Sequence, residues 1–177
     1  MTSPILPGIA RLNTADDDTA AGFLYEVCTS TAWVRAVLAK RPFAGLDELC
    51  EASDVAMSEL TSEDLGAAMA GHPPIGRPKP GDPASAREQC GMTGASDELK
   101  AELLELNLAY QDRFGHVFLI CATGLTGEQM RDAAKARIGN TPEQEYEIVR
   151  TELGKINRIR LTRLAGPAGL AGPAEGE

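Results

Sequence analysis

The sequence predicts an all-α protein, and three features of the chain lead to that fold class. Apolar residues recur at steps of three and four over most of its length, which is the spacing of one face of a helix. Glycine and proline clusters separate these stretches. Two segments, Thr126–Gln129 and Thr141–Gln144, carry the capping-box pattern of a helix start. The 177 residues suit one domain, which we place at residues 1–165, before a Gly/Pro/Ala-rich tail at 166–177 that we expect to be disordered.

The first third of the chain predicts three short helices. The first follows an acidic run, Asp16–Asp18, which favours a helix N-terminus. Arg41-Pro42 ends the second, because proline disfavours the helical conformation of the residue before it. The three apolar faces consist of Ala20, Phe23, Leu24 and Val27; of Trp33, Val34, Val37 and Leu38; and of Leu46, Leu49 and Cys50.

A fourth helix begins at Thr61, and its apolar face carries a histidine at its end. His72 lies seven residues after Leu65 and three after Met69, so all three fall on the same face. Residues 72–83 contain five prolines and two glycines, which predicts a loop. Loops attached to rigid elements often carry function.

The second half of the chain predicts longer helices. One begins at Ser85, and after a break near Gly94 a stripe from Leu99 to Tyr110 ends at Gly115, an expected helix stop. Residues 117–122 form a short apolar run, which is either a strand or a buried helical piece. The last helix has a stripe of Val149, Leu153, Ile156, Arg160 and Leu164, so a charge lies within an apolar face.

The charge and cysteine content exclude several classes of protein. The net charge is −9, which disfavours binding to nucleic acid or to an anionic membrane. An anionic small substrate would need a locally positive pocket. No apolar run reaches the length of a membrane span and the N-terminus does not resemble a signal peptide. Cys28, Cys50, Cys90 and Cys121 lack zinc spacing, so we expect reduced, mostly buried thiols, no metal and a cytoplasmic location.

Three residues are the main candidates for chemistry, and each has a structural alternative. His72 can transfer protons near neutral pH, or it is a helix-end cation stabilised by the macrodipole. Glu88 can contact a ligand, or it completes a capping box with Ser85. Arg160 can bind a carboxylate, whereas the alternative is an ion pair with a buried acid. His116, beside the apolar run, is a weaker candidate for ligand contact, and so is Arg158, which points elsewhere on its helix.

Five motifs in this order resemble the family of decarboxylases that act on 2-oxo-4-hydroxy-4-carboxy-5-ureidoimidazoline (OHCU). The resemblance spans roughly residues 5 to 165. The motifs are Trp33 with Arg41-Pro42-Phe43; His72-Pro73-Pro74-Ile75-Gly76; Ser85-Ala86-Arg87-Glu88-Gln89; Asn107-Leu108-Ala109-Tyr110 with Phe114-Gly115-His116-Val117-Phe118; and Lys155-Ile156 with Arg160-Leu161.

The resemblance implies a fold, a reaction and a set of site residues. The fold would be a compact helical bundle, commonly a homodimer. The reaction would convert OHCU to (S)-allantoin in urate breakdown, with no cofactor, and a hydroxyisourate hydrolase is a candidate functional neighbour. His72, Glu88 and Arg160 match the catalytic positions. The substrate-binding positions would be Pro73, Ser85, Ala86, Arg87, Gln89, Phe118, Leu119, Ile120, Cys121 and Ala122.

A mechanism follows from these matches as a hypothesis. His72 would act as the acid/base, and Glu88 would orient the ureido N–H groups and hold His72 or the ligand. Arg160, with the backbone N–H groups of residues 119–121, would stabilise developing negative charge.

The chain departs from the family pattern at several positions near the site. Pro74 replaces the charged residue usual after His-Pro, and His116-Val117 replaces Phe-Pro. Thr123 stands where the family has an arginine, so one positive charge is missing. These departures bear on substrate range and rate.

Two other function classes remain open at this point. In a helical interaction module the apolar stripes would all be core and residues 72–76 a partner surface; the inward phase of His72 and Arg160 argues against it. A metal-dependent hydrolase using His72, Glu88 and His116 would lose activity with a chelator, and the histidine spacing gives it little support.

Overall fold

The protein is all-α, as described by a computed structural model for residues 4–77 and 80–167. Within these ranges no β-strand occurs, and the predicted fold class is confirmed. The chain separates into two compact units, residues 1–67 with 154–177, and residues 68–153. The predicted single domain at 1–165 stays a prediction. Of the predicted tail, residues 168–177 lie outside the described residues.

Among its described residues, the first unit contains four helices, together with most of a fifth and the end of the last. They are α1 Pro7–Thr14, α2 Asp17–Val27, α3 Thr31–Leu38, α4 Leu46–Glu59 and α5 Ser62–Ala70. The division falls within α5 and within α9, Pro142–Ala165. The Asp16 side chain accepts a hydrogen bond from Thr19 N–H and starts α2. Trp33 is fully buried, and its indole N–H donates to Ser53 Oγ at 3.2 Å.

The second unit is built around α7 and α8. It contains the end of α5, α6 Pro83–Glu88, a 3-10 turn at Cys90–Met92, α7 Asp97–Phe114, α8 Gly127–Arg137 and the start of α9. Its core cluster consists of Ile75, Met92, Leu103, Tyr110, Phe118, Ala122, Met130 and Ala134.

Several predicted helix ends are confirmed. Both capping boxes are present, since Thr126 and Gln129 exchange side-chain to backbone hydrogen bonds and Thr141 and Gln144 do the same. Gly115 ends α7 with φ of 77°, a left-handed conformation that favours glycine.

The cysteines are less buried than the sequence predicts. Cys28 and Cys50 are buried, Cys121 is half-buried and Cys90 is exposed; none forms a disulfide. Burial raises the pKa of the Cys28 and Cys50 thiols. In the part of the chain that the structure describes, no helix is both long enough and apolar enough to cross a bilayer.

Candidate active site

His72 lies one turn beyond the apolar end of α5, as its phase predicts. Its N–H donates to Met69 O at 2.9 Å, and its side chain is half-buried. Pro73 and Pro74 follow and are half-buried, and then Ile75 enters the core with 6% of its surface exposed. Gly76 turns the chain with φ of 84°. We call residues 72–76 the His72 loop.

The start of α6 corrects one expectation. Ser85 is not the N-cap of this helix, because α6 begins at Pro83 and the side chain of Asp82 accepts a hydrogen bond from Ala84 N–H at 3.0 Å. The capping box of Ser85 and Glu88 is therefore wrong. An aspartate before a proline at the first helical position provides an alternative N-cap three residues before Ser85.

The earlier start places the α6 site residues on two different faces. Ser85, Glu88 and Gln89 are buried, with 1%, 7% and 7% exposed, since positions three and four apart share a helix face. The side chains of Ala86 and Arg87 are exposed. Of the five predicted ligand contacts in this segment, three thus lie on the inner face of the unit.

Gln89 brings the His72 loop and the end of α6 together. Its Oε1 accepts from Gly76 N–H at 2.9 Å, and its Nε2 donates to Pro74 O at 3.2 Å. From α7, Asn107 Nδ2 donates to Ile75 O at 2.9 Å. Three predicted motifs that are distant in sequence therefore meet at this loop.

The apolar run 117–122 is neither a strand nor a helix. It is an extended segment in which Phe118, Leu119 and Ala122 are buried and residues 120 and 121 are half-buried. Side chains take part of its backbone hydrogen bonding, which a regular element would otherwise supply. Arg137 Nη1 donates to Leu119 O at 2.7 Å, and Cys121 N–H donates to Glu152 Oε2 at 2.9 Å.

The contact with Glu152 limits the charge-stabilising role expected for this segment. The Cys121 N–H points to a carboxylate, so it can meet a developing anion only if Glu152 moves away. The remaining backbone donors in that hypothesis are the N–H groups of residues 119 and 120.

A buried ionic network behind this segment was missed by sequence reasoning. Glu145 is fully buried and accepts from Arg137 Nη2 at 2.8 Å, from Asn140 Nδ2 at 2.9 Å and from the Tyr110 hydroxyl. The Arg137 guanidinium also lies 4.7 Å from the centroid of the Phe118 ring. A signal was present, because Glu145 extends the apolar stripe of α9 by one step of four ahead of Val149.

The network shifts the pKa of two of its members. Burial by itself raises the pKa of Glu145, but the hydrogen bonds from Arg137, Tyr110 and Asn140 outweigh it, so the pKa lies below its ordinary value. Burial and the adjacent carboxylate raise the pKa of Tyr110. Tyr110 therefore stays protonated and donates to the ionised Glu145.

Arg160 and Arg158 differ in their surroundings within the first unit. Arg160 is half-buried, and its Nη1 donates to Val27 O at 3.1 Å. Arg158 is exposed and pairs with Asp54, its Nε lying 3.0 Å from Oδ2. The predicted divergence of the two side chains is confirmed.

His116 belongs to an aromatic cluster of the second unit. Its ring centroid lies 5.5 Å from that of Tyr110, 6.1 Å from that of Phe114 and 5.9 Å from that of Tyr146. Its Nδ1 lies 3.1 Å from Val117 O. These contacts give this histidine a packing role.

A cleft of about 210 Å³ borders the His72 loop. It is lined by Ile75, Gly76, Arg77, Lys100, Ala101 and Leu104, and so carries two cations in an acidic protein. Among residues 4–77 and 80–167, no three His, Cys, Asp or Glu side chains are grouped so that they could hold a metal ion.

Comparison with known proteins identifies the family. The sequence model of the family described as OHCU decarboxylase matches residues 13–162, which is most of the chain. The chain belongs to the OHCU decarboxylase family. A crystal structure of OHCU decarboxylase in the presence of (S)-allantoin superposes with a TM-score of 0.72 at 28% identity, covering 85% of this chain and 99% of that one.

Two relatives show how this family domain occurs elsewhere. The 2-oxo-4-hydroxy-4-carboxy-5-ureidoimidazoline decarboxylase of Haloferax volcanii is 26% identical over 89% of this chain and 94% of its own length. The uric acid degradation bifunctional protein TTL of Arabidopsis thaliana is 28% identical over 77% of this chain. The chain spans only 44% of the length of that bifunctional protein.

Proposed function

We propose that this protein is a carboxy-lyase that converts OHCU to (S)-allantoin in urate breakdown, without a cofactor. The observation that carries the proposal is the convergence of three of the five family motifs in the second unit. The His72 loop, the buried face of α6 and Asn107 are joined there by hydrogen bonds, and Ile75 shares a core cluster with Phe118 and Ala122. Membership of the OHCU decarboxylase family supplies the reaction class.

The reaction breaks one carbon–carbon bond and adds one proton. The substrate carboxylate leaves as CO2, and the bonding electron pair passes to the ring, where the carbonyl and imine groups delocalise it. The pair forms a double bond to the neighbouring, ureido-bearing carbon while the imine electrons move to the ring nitrogen. A proton is then delivered to that ureido-bearing carbon, and the hydroxyl on the carbon that lost CO2 becomes the product carbonyl as its proton passes to the ring nitrogen, which gives the uncharged product. Because the product is a single enantiomer, the proton must arrive on one face of the intermediate, within a pocket that excludes water.

The proposed roles follow from residue chemistry. His72 exchanges the proton, since an imidazole titrates near neutral pH and positioned acid–base help contributes roughly 10²–10⁴-fold in rate. Glu88 orients the ureido N–H groups as an acceptor. Arg160 binds the carboxylate, for which its planar fork is suited.

The substrate-binding set divides by burial. Ser85 and Gln89 of α6, with Phe118 and Leu119 of the extended segment, are buried, whereas Ala86 and Arg87 are exposed. We propose that the buried residues and Pro73 line or support the pocket. Ala86 and Arg87 would contact a ligand only at the rim of the pocket.

Replacement of His72 tests the proposal directly. OHCU is generated from urate in situ, and its decay and the chirality of the allantoin are followed with and without protein. Wild type is expected to accelerate formation of the (S) form. His72→Ala is expected to lose this acceleration, because the proton then comes from bulk water, while its helical circular dichroism is unchanged.

His116→Phe is the matched control. It also removes an imidazole from the second unit but preserves aromatic packing against Tyr110 and Tyr146, so we expect it to retain activity. Wild-type turnover by His72→Ala would refute the catalytic role of that histidine. Failure of the wild-type protein to accelerate the reaction would refute the function itself.

The remaining proposals concern assembly and context. The protein is expected to form a homodimer in the cytoplasm. We also propose a functional link to a hydroxyisourate hydrolase; the two-activity organisation of the Arabidopsis relative, of which this chain spans less than half, supports a partner activity in uric acid degradation. Sedimentation velocity tests the dimer, and a coupled assay with that hydrolase tests the link.

A further inference from the structure

Side chains from two other segments make three hydrogen bonds to the backbone of the His72 loop. Pro73 and Pro74 have no N–H, so they cannot donate to any backbone partner. The carbonyls of Pro74 and Ile75 and the N–H of Gly76 instead meet the amide groups of Gln89 and Asn107. Pro74 O also accepts a hydrogen bond from Arg77 N–H at 3.0 Å, within a local turn.

We propose that Asn107, together with Gln89, is a positioning residue that sets the place of His72 for proton transfer. The inference rests on the proposed role of His72. Asn107 holds the loop three residues after His72, and Gln89 holds it two and four residues after. Three hydrogen bonds on consecutive residues of a short loop leave its backbone little freedom.

The location of Asn107 is unusual for a residue with only a packing role. It occupies the buried face of α7 between Leu103 and Tyr110, with 7% of its surface exposed. An apolar residue would continue that face. Within the described residues its Oδ1 has no hydrogen-bond partner, and an unsatisfied buried oxygen destabilises the fold. What asparagine contributes at this position is therefore the hydrogen bond from its Nδ2 to Ile75 O.

The same geometry gives Gln89 a role in addition to the proposed substrate contact. Both ends of its amide are engaged by the loop, one as acceptor and one as donor. An amide has a second N–H and a second oxygen lone pair, so this side chain can hold the loop and meet a ligand at once. Asn107 tests the positioning role cleanly, because no substrate contact is assigned to it.

Asn107→Leu should release the loop and slow the chemical step. Leucine has the same number of side-chain heavy atoms but no N–H, so the donor to Ile75 O is lost. We expect kcat to fall about 10-fold to 100-fold, the effect of a misplacement near 1 Å, with a smaller change in KM. Hydrogen exchange of the Gly76 and Arg77 amides, read by mass spectrometry of a peptide covering the loop, should become faster.

Ser96→Ala is the matched control on the same helix. Ser96 caps α7 by accepting from Leu99 N–H at 3.1 Å, and loss of such a cap destabilises the helix. It does not touch the loop, so kcat and loop exchange should stay near wild type. Equal kcat values for Asn107→Leu and Ser96→Ala would overturn the proposal.

Asn107→Asp gives a pH signature that a packing role would not produce. A protonated carboxyl can donate to Ile75 O, whereas the ionised form cannot, and burial raises the pKa of such a group. The ratio of its kcat to that of wild type should therefore rise as the pH falls from about 8 to about 6. A ratio that is independent of pH would contradict the proposal.

The exchange measurement separates this inference from the proposed function. If wild type does not act on OHCU, the function fails, while faster loop exchange in Asn107→Leu still shows that the amide holds the loop. If wild type is active and neither loop exchange nor kcat responds to Asn107→Leu, the positioning role fails and the function stands.

Discussion

Single side chains decide how the extended segment behind the candidate site is held. Arg137 contacts Leu119 O, and its charge is balanced by Glu145, which is fully buried. Removing one member of a buried ion pair leaves the other without compensation, which is more damaging than loss of an exposed pair. At the residue scale, the network of Glu145 is therefore a strong stability determinant.

We expect Glu145→Gln to lower the free energy of unfolding by about 3 kcal/mol at neutral pH, since Arg137 keeps its charge and loses its counter-ion. Urea unfolding monitored by circular dichroism measures the change. Glu143→Gln, an exposed substitution on the same helix, is the control and should stay within about 0.5 kcal/mol of wild type. Equal midpoints for the two variants would argue against a structural role of the pair.

The same pair predicts how stability depends on pH. The pKa of Glu145 is lower in the folded protein than in an unfolded chain. Its contribution is fully present above the unfolded value of about 4.3 and is lost as the pH falls through the folded value. The difference in stability between wild type and Glu145→Gln should therefore shrink as the solution is acidified below about pH 4; a constant difference would contradict this account.

At the scale of elements, close backbone approaches in the second unit require glycine. A Cβ added at Gly91, in the 3-10 turn after α6, would lie 1.8 Å from Leu125 O. This approach joins the turn to the segment before α8. By contrast, a Cβ on Gly154, within α9, would meet nothing within 4 Å.

These two glycines should respond to alanine in opposite ways. Gly91→Ala is expected to lower the melting temperature, because relieving the clash requires a backbone shift worth roughly 1–3 kcal/mol. Gly154→Ala should raise it, by about 0.5–1 kcal/mol in stability, since alanine is the better helix former. Differential scanning calorimetry of both variants tests the pair, and a stabilised Gly91→Ala would show that the approach is not tight.

At the scale of the whole molecule, charge shapes what the protein can bind. The net charge of −9 repels an anionic substrate over long distances. Short-range attraction must then come from individual cations. Arg160 is half-buried and Arg158 is paired with Asp54, so the two arginines should contribute very differently.

Arg160→Ala is expected to weaken binding of a carboxylate-bearing substrate analogue by about 10-fold or more, since a charge-assisted hydrogen bond contributes roughly 1.5–3 kcal/mol. Isothermal titration calorimetry gives the dissociation constants. Arg158→Ala is the matched control and should bind as wild type does. A larger loss in Arg158→Ala than in Arg160→Ala would reassign the carboxylate contact.

Much of the fold and part of the site could be predicted, because helix periodicity and helix ends depend on residues that are close together in the sequence. Helical periodicity, two capping boxes and the glycine at 115 located most helices and several of their ends. The phase of His72 on the face of Leu65 and Met69 predicted its half-buried position. The predicted start of α6 at Ser85 was wrong. Asp82-Pro83 and Ser85-Glu88 are both local signals for a helix start, and local rules do not decide between them.

What the sequence by itself determined was the helical fold class, the family and the inward phase of His72 and Arg160. Only the tertiary structure decided which groups satisfy one another across long separations. Gln89 and Asn107 reach the His72 loop over 13 to 32 residues, and Glu145 reaches Tyr110 over 35. No periodicity encodes such pairs, because a side-chain amide or carboxylate finds its partner only after packing has removed water from both.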